Sequence, residues 1–309
     1  MNYLLLLALL SSALFFLSYV LLSSALAVFW QLIPRRVLEW NDAALYGLRI
    51  APLAGAILIV GFFVLPSFLY LEPLHTAETL SGAALGCAFG GFVVATTGVM
   101  SVFLACWRTA RLVAAWTRAG GVSKRDSDSA VIEIHTSAPM LVVAGAYQPK
   151  LLISTELRRV LAPGEMQAAV AHEWAHVSRR DNLKKLVLRF ARFPFLAGLE
   201  RAWQNAAELA ADDRAATSEV AALDLASALL KVADSSSVRL PDLAMSLGAE
   251  GGEALRVRVE RLLSWKPGRY RQGSVSRLWK PVAPAVLLLG IGYLPLLRHI
   301  HELTEWFVR

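Results

Sequence analysis

The chain has 309 residues, of which 56% are hydrophobic and 18% charged, with a mean hydropathy of +0.50 and a formal net charge of +7. Soluble domains carry about a quarter charged residues, so this composition argues against a purely soluble protein. The two cysteines, Cys87 and Cys106, fall in one apolar stretch. On a helix they would lie about 28 Å apart, beyond disulfide reach, which excludes a disulfide framework and a cysteine metal site.

Met1 to Pro34 contains no charged side chain. Ala25-Leu26-Ala27 offers a signal-peptide cleavage site, but there is no basic n-region and the apolar core is too long, which favours an uncleaved helix. Ile50 to Leu71 is a second apolar run, interrupted only by Pro52 and Pro66, and Thr79 to Trp107 is a third. In the third, Gly82, Gly86 and Gly90 would share one helix face where another helix can approach closely.

Residues 108–280 are long enough for one globular core. Strands are expected at Ala130–His135, Met140–Ala144 and Leu151–Ser154, with Ala146 to Pro149 as the turn between the last two. The remainder reads as helices. The first runs from about Pro163 to Arg179, and its Met166, Val170, Trp174 and Val177 fall on one arc, the expected buried face. His172 and His176 lie on the other side, one turn apart.

The string His172-Glu173-Trp174-Ala175-His176 is an H-E-x-x-H motif. Imidazoles at i and i+4 can point at one ion, and the intervening Glu projects towards water beside it. Zinc acidifies such a water, and Glu173 would accept its proton during attack on a peptide carbonyl. A catalytic zinc takes three protein ligands and keeps one position open. The third is expected from the alanine-rich helix around Glu208 and Asp212. There Glu208 would ligate, and Asp212 would accept a hydrogen bond from a ligating histidine.

Pro281 to Leu297 is a fourth apolar stretch, near the lower length limit for a span of about 17 residues. Of 31 Lys and Arg residues, 26 lie between 108 and 280. The positive-inside rule places that region in the cytoplasm. The basic excess suits contact with anionic lipid, and no direct nucleic-acid binding is expected. The expected organisation is therefore 1–107 with three transmembrane helices, 108–280 as the cytoplasmic domain, and 281–309 as a fourth helix with a short external tail.

H-E-x-x-H followed by E-x-x-x-D is the gluzincin pattern. Together with Val142 to Ser154, Arg179-Arg180-Asp181-Asn182 and the order of spans, it resembles the BlaR/MecR-type membrane zinc metallopeptidases. HtpX-like membrane proteases share the zinc pattern but place two spans before it. The resemblance implies a mainly α membrane protein: four transmembrane helices and a cytoplasmic α+β zincin domain with a small β-sheet. It implies one Zn2+ per chain on His172, His176 and Glu208, with Glu173 as base. The expected setting is the cytoplasmic (inner) membrane, with a protein or peptide substrate, for example a transcriptional repressor. By the same resemblance an extended substrate would lie along an edge strand formed by Met140, Leu141, Val142, Val143 and Ala144. Asp181 is expected to cap the helix that begins near Leu183. Only residues 298–309 follow the fourth stretch, so the penicillin-binding sensor domain and β-lactam sensing are not carried over. A non-catalytic zinc-domain transducer is the rival class, which the intact Glu173 disfavours.

Overall fold

The computed structural model describes residues 3–32, 41–71, 80–118, 131–135, 139–235, 244–246 and 252–267, with the single residues 297, 299 and 302. The fourth apolar stretch, Pro281 to Leu297, lies almost wholly outside the described residues.

Helix α1 spans Tyr3–Leu32. The next membrane helix runs Asp42–Leu71 as α2 (Asp42–Ile59), a π turn (Val60–Val64) and α3 (Leu65–Leu71). The widened turn precedes Pro66, which cannot donate a backbone hydrogen bond. Asn41 caps α2 by accepting from the Ala44 N–H at 2.8 Å, as short polar N-caps do. Helix α4 covers Gly82–Arg118. These three helices are long and apolar enough to cross a membrane.

The close approach between α1 and α4 falls elsewhere than the glycine repeat suggested. Gly82 and Gly86 face open space, whereas a Cβ at Gly90 would meet the Phe16 ring and one at Gly91 would strike Ser12. Ser12 Oγ donates to Ala88 O at 2.8 Å across the same seam. Cys87 and Cys106 are free thiols.

The domain opens with β1 (Val131–Ile134), β2 (Leu141–Ala144) and β3 (Lys150–Ser154), near the expected bounds. A further strand, β4 (Ala244–Ser246), was not foreseen. The sheet order is β1-β3-β2-β4, with β1 parallel to β3 and the other pairings antiparallel. Strand β2 is therefore interior to the described sheet, and the expectation of a free edge at Met140 to Ala144 is not met. An uncovered edge strand leaves a row of unpaired backbone groups, and β4 takes them here. Its three residues carry no alternation that would have announced a strand.

Ser154 ends β3 and caps α5 (Thr155–Val160), its Oγ accepting from Leu157 N and from Met140 N. Then follow α6 (Pro163–Ser178), α7 (Asp181–Phe190), a 3-10 turn (Pro194–Leu196), α8 (Ala197–Ala215), α9 (Glu219–Ser235) and α10 (Gly252–Leu263). The main core lies where β2, β3, α6, α9 and α10 meet, around Leu141, Ile153, Ala169, Leu225 and Leu229. A second core joins membrane helices to the domain. In it Leu26, Ala27 and Leu45 pack on Leu199 and Trp203 of α8.

Candidate metal centre

Helix α6 starts at Pro163, whose fixed φ suits the first helical position. Glu165 accepts from the Ala162 N–H, and also from Ser227 Oγ at 2.6 Å and Lys231 Nζ at 2.7 Å on α9. The burial of α6 differs from expectation. Met166, Val170 and Val177 are only half-buried and Trp174 is exposed, whereas Ala168, Ala169, Ala175 and the entire His172-Glu173-His176 set are buried. The motif face points into the protein because α8 lies across it. The alanines Ala207, Ala211 and Ala215 let that helix approach.

His172 Nε2 and His176 Nε2 are 3.2 Å apart. Glu208 Oε2 lies 3.4 Å from the first and Glu208 Oε1 3.6 Å from the second. The other ring nitrogens face carboxylates: His176 Nδ1 donates to Asp181 Oδ2 at 2.9 Å, and His172 Nδ1 lies 2.8 Å from Asp212 Oδ1. A carboxylate facing each Nδ1 keeps a proton there, which leaves both Nε2 atoms aimed at one point. Two imidazole nitrogens and a carboxylate facing each other in a buried space call for a positive charge among them, a proton in the metal-free protein or a metal ion in its place. Donors about 2.0–2.2 Å from a tetrahedral ion lie about 3.3–3.6 Å apart, close to the spacings here. His172, His176 and Glu208 thus fit a metal ion in donor type and geometry.

The electrostatics agree. Burial would depress the histidines, but the Asp212 and Glu208 bonds raise His172, and the Asp181 and Glu208 bonds push His176 up to about 9. Burial would raise Asp212, yet Arg258 and His172 hold it below its ordinary value. Glu208 is held well below its own by both histidines and Arg258. Glu173 is fully buried beside this group, and its charge acts on His176.

Asp181 does not act as the helix cap foreseen for it. It is the first residue of α7, preceded by Arg180 in the left-handed region (φ 55°, ψ 39°). That turn folds α7 back on α6 and brings the buried Asp181 carboxylate to His176. Arg179 Nε (3.1 Å) and Lys184 Nζ (2.8 Å) also bind it. Asn182 donates to Val143 O and Gly145 O, tying the turn to β2. The Arg-Arg-Asp-Asn string therefore orients a site histidine and anchors the sheet.

Arg258 was missed altogether. It is 2% exposed, grips Asp212 through Nε (2.7 Å) and Nη2 (2.8 Å), and reaches Glu208 Oε2 with Nη1 at 3.1 Å. Nothing in the basic string Arg256 to Arg261 separates it from its solvated neighbours. Lys185 was missed for the same reason. Burial lowers its pKa against the opposing charges of Glu208, Asp181 and Glu173.

Three helices long and apolar enough to cross a membrane and a domain built around a buried His-His-Glu cluster define a membrane-competent chain with a candidate metal centre. Residues 89–262, more than half of the chain, match the family of BlaR1 peptidases, M56, and the chain belongs to that family. A search of curated proteins finds no match.

Proposed function

We propose that this chain is a zinc-dependent endopeptidase of the cytoplasmic membrane, with His172, His176 and Glu208 as ligands and Glu173 as general base. The observation that carries it is the convergence of two Nε2 atoms and one carboxylate, each imidazole locked from behind by an aspartate. Bound zinc supplies Lewis acidity that acidifies water and polarises a carbonyl. Asp212 and Asp181 hold the two rings in the ligating tautomer, and Arg258 keeps Asp212 and Glu208 ionised. Glu173 takes the proton of the attacking water and returns it to the leaving amine. Buried surroundings strengthen each of these charge interactions.

The substrate class is a protein or peptide, as the family requires. A cytoplasmic repressor or a membrane protein is the proposed target, and the domain of residues 108–280 is proposed to face the cytoplasm. Purified chain should carry one zinc, lost in His172→Ala, His176→Ala and Glu208→Ala and retained in Glu173→Gln, which should be inactive. Elemental analysis beside cleavage of an unfolded protein tests this. Full occupancy in Glu208→Ala removes Glu208 from the ligand set, and proteolysis by Glu173→Gln removes it as base.

A further inference from the structure

Helix α7 is tied along its length to the membrane helices. At its start Arg179 Nη2 meets Asp42 Oδ2 at 2.6 Å, and Lys184 Nζ lies 3.7 Å from the same oxygen. At its end the Ala191 carbonyl accepts from Arg49 Nη2 of α2 (2.8 Å) and from the Tyr19 hydroxyl of α1 (2.9 Å). Both Asp42 and Arg49 belong to α2, so α7 cannot slide along that helix without losing contacts at both ends. The carboxylate that holds His176 sits at the first position of α7.

We propose that Asp42, at the domain-side end of the second membrane helix, is a positioning residue for His176, acting through Arg179 and Asp181. The inference rests on the reading of His176 as a metal ligand. Asp181 Oδ2 is shared by His176 Nδ1 (2.9 Å) and Arg179 Nε (3.1 Å). The guanidinium is planar and rigid, so fixing Nη2 against Asp42 fixes where Nε meets Asp181. Asp42 also offsets the charge of Arg179 and Lys184, both of which draw on the Asp181 carboxylate. With Asp42 neutralised, the two cations act on Asp181 alone. Less of its charge then reaches the imidazole, which becomes a weaker and less fixed ligand. A membrane helix thereby sets the grip of a metal ligand.

The test uses full-length protein in detergent, loaded with cobalt, comparing wild type, Asp42→Asn, Asp42→Glu, Arg179→Lys and His176→Ala. Release to a chelator and the visible absorption of bound cobalt are recorded well below the unfolding temperature. Direct partners of metal-bound histidines are worth about 10–100-fold in affinity, and Asp42 acts one bond further out, so release about 3–10-fold faster is expected for Asp42→Asn, with an altered spectrum. Asp42→Glu should stay close to wild type. Wild-type release and spectrum in Asp42→Asn overturn the proposal. Should Asp42→Asn not fold, Arg179→Lys decides. It keeps the charge but loses the fork, so fast release supports the relay and wild-type release overturns it. A wild type that takes up no cobalt overturns the metal reading itself, and this proposal with it. Uptake by the wild type that is undiminished in His176→Ala removes His176 as ligand and likewise ends the proposal.

Discussion

Arg258 balances two buried carboxylates, Asp212 behind His172 and Glu208 in front of it. Removing one member of a buried charged set leaves its partners uncompensated, a loss of about 3–5 kcal/mol. Arg258→Met should therefore lower unfolding stability by that order, measured in denaturant, and loosen the metal as well. Arg258→Lys keeps the charge without the fork and should fall between. Protons compete for the same site. With His176 at about 9 in the metal-free protein, a cation taking its Nε2 must displace a proton at any pH below that value. Metal affinity should fall steadily from pH 9 to pH 6, and loading at pH 7 should release protons to an indicator dye. Loading at pH 7 without proton release would contradict the protonated state assigned to His176. The motif residues were legible because ligand chemistry dictates both residue type and helical spacing. Arg258 and Asp181 were not, because their roles depend on which helices meet, which spacing along the chain does not encode.

Helix packing in the membrane part turns on one seam. At Gly91 an added Cβ would strike the Ser12 backbone of α1, while Gly86 faces open space. Overpacking such a contact costs about 1–3 kcal/mol. Gly91→Leu should lower the thermal aggregation temperature in detergent, and Gly86→Leu should leave it near wild type. Equal effects would show that the glycines act through the unfolded chain instead. The periodic repeat Gly82, Gly86, Gly90 identified the helix correctly but only its last member touches α1, since periodicity marks a face and not what covers it. In the domain, β1 was legible from alternation and β2 and β3 as short apolar runs around the turn expected at Ala146 to Pro149, which Gly145 enters at φ +103°. Strand β4 escaped notice because three residues hold no period, and it pairs the edge at Met140 to Ala144 that the resemblance implied would be free. The apolar arc on α6 was right in part, since Met166, Val170 and Val177 pack against the main core while Trp174 is exposed. Ala168, Ala169 and Ala175 carry little hydrophobic weight in a sequence pattern, yet they are the buried positions, because small side chains admit a neighbouring helix.

At the scale of the molecule, the membrane helices form an antiparallel set with chemically distinct ends. Tyr3 and Leu6 of α1 meet Phe68 of α3 and Leu80 at one end. At the other end, Trp30 of α1 reaches Gly198 of α8, Asp42 pairs with Arg179, and Val113 and Trp116 of α4 pack beneath the sheet. The domain therefore sits on the end that carries Arg108, Arg111 and Arg118. In the sequence Arg35 and Arg36 stand between α1 and α2, whereas residues 72–79 include Glu72 and Glu78 and no Lys or Arg. Short loops rich in Lys and Arg stay on the cytoplasmic side, and the cytoplasmic leaflet attracts such segments by about 1 kcal/mol per basic residue near the surface. Charge and packing thus select the same end by independent routes, one through insertion and one through the ion pairs and cores of the folded chain. A reporter active only in the cytoplasm should work when fused after Arg118 and stay silent when inserted at Glu72. The opposite pattern would place the metal centre outside the cell. It would also put Arg108, Arg111 and Arg118, which directly flank a span, on the translocated side against the rule, so this pair of fusions tests the sidedness of the peptidase directly.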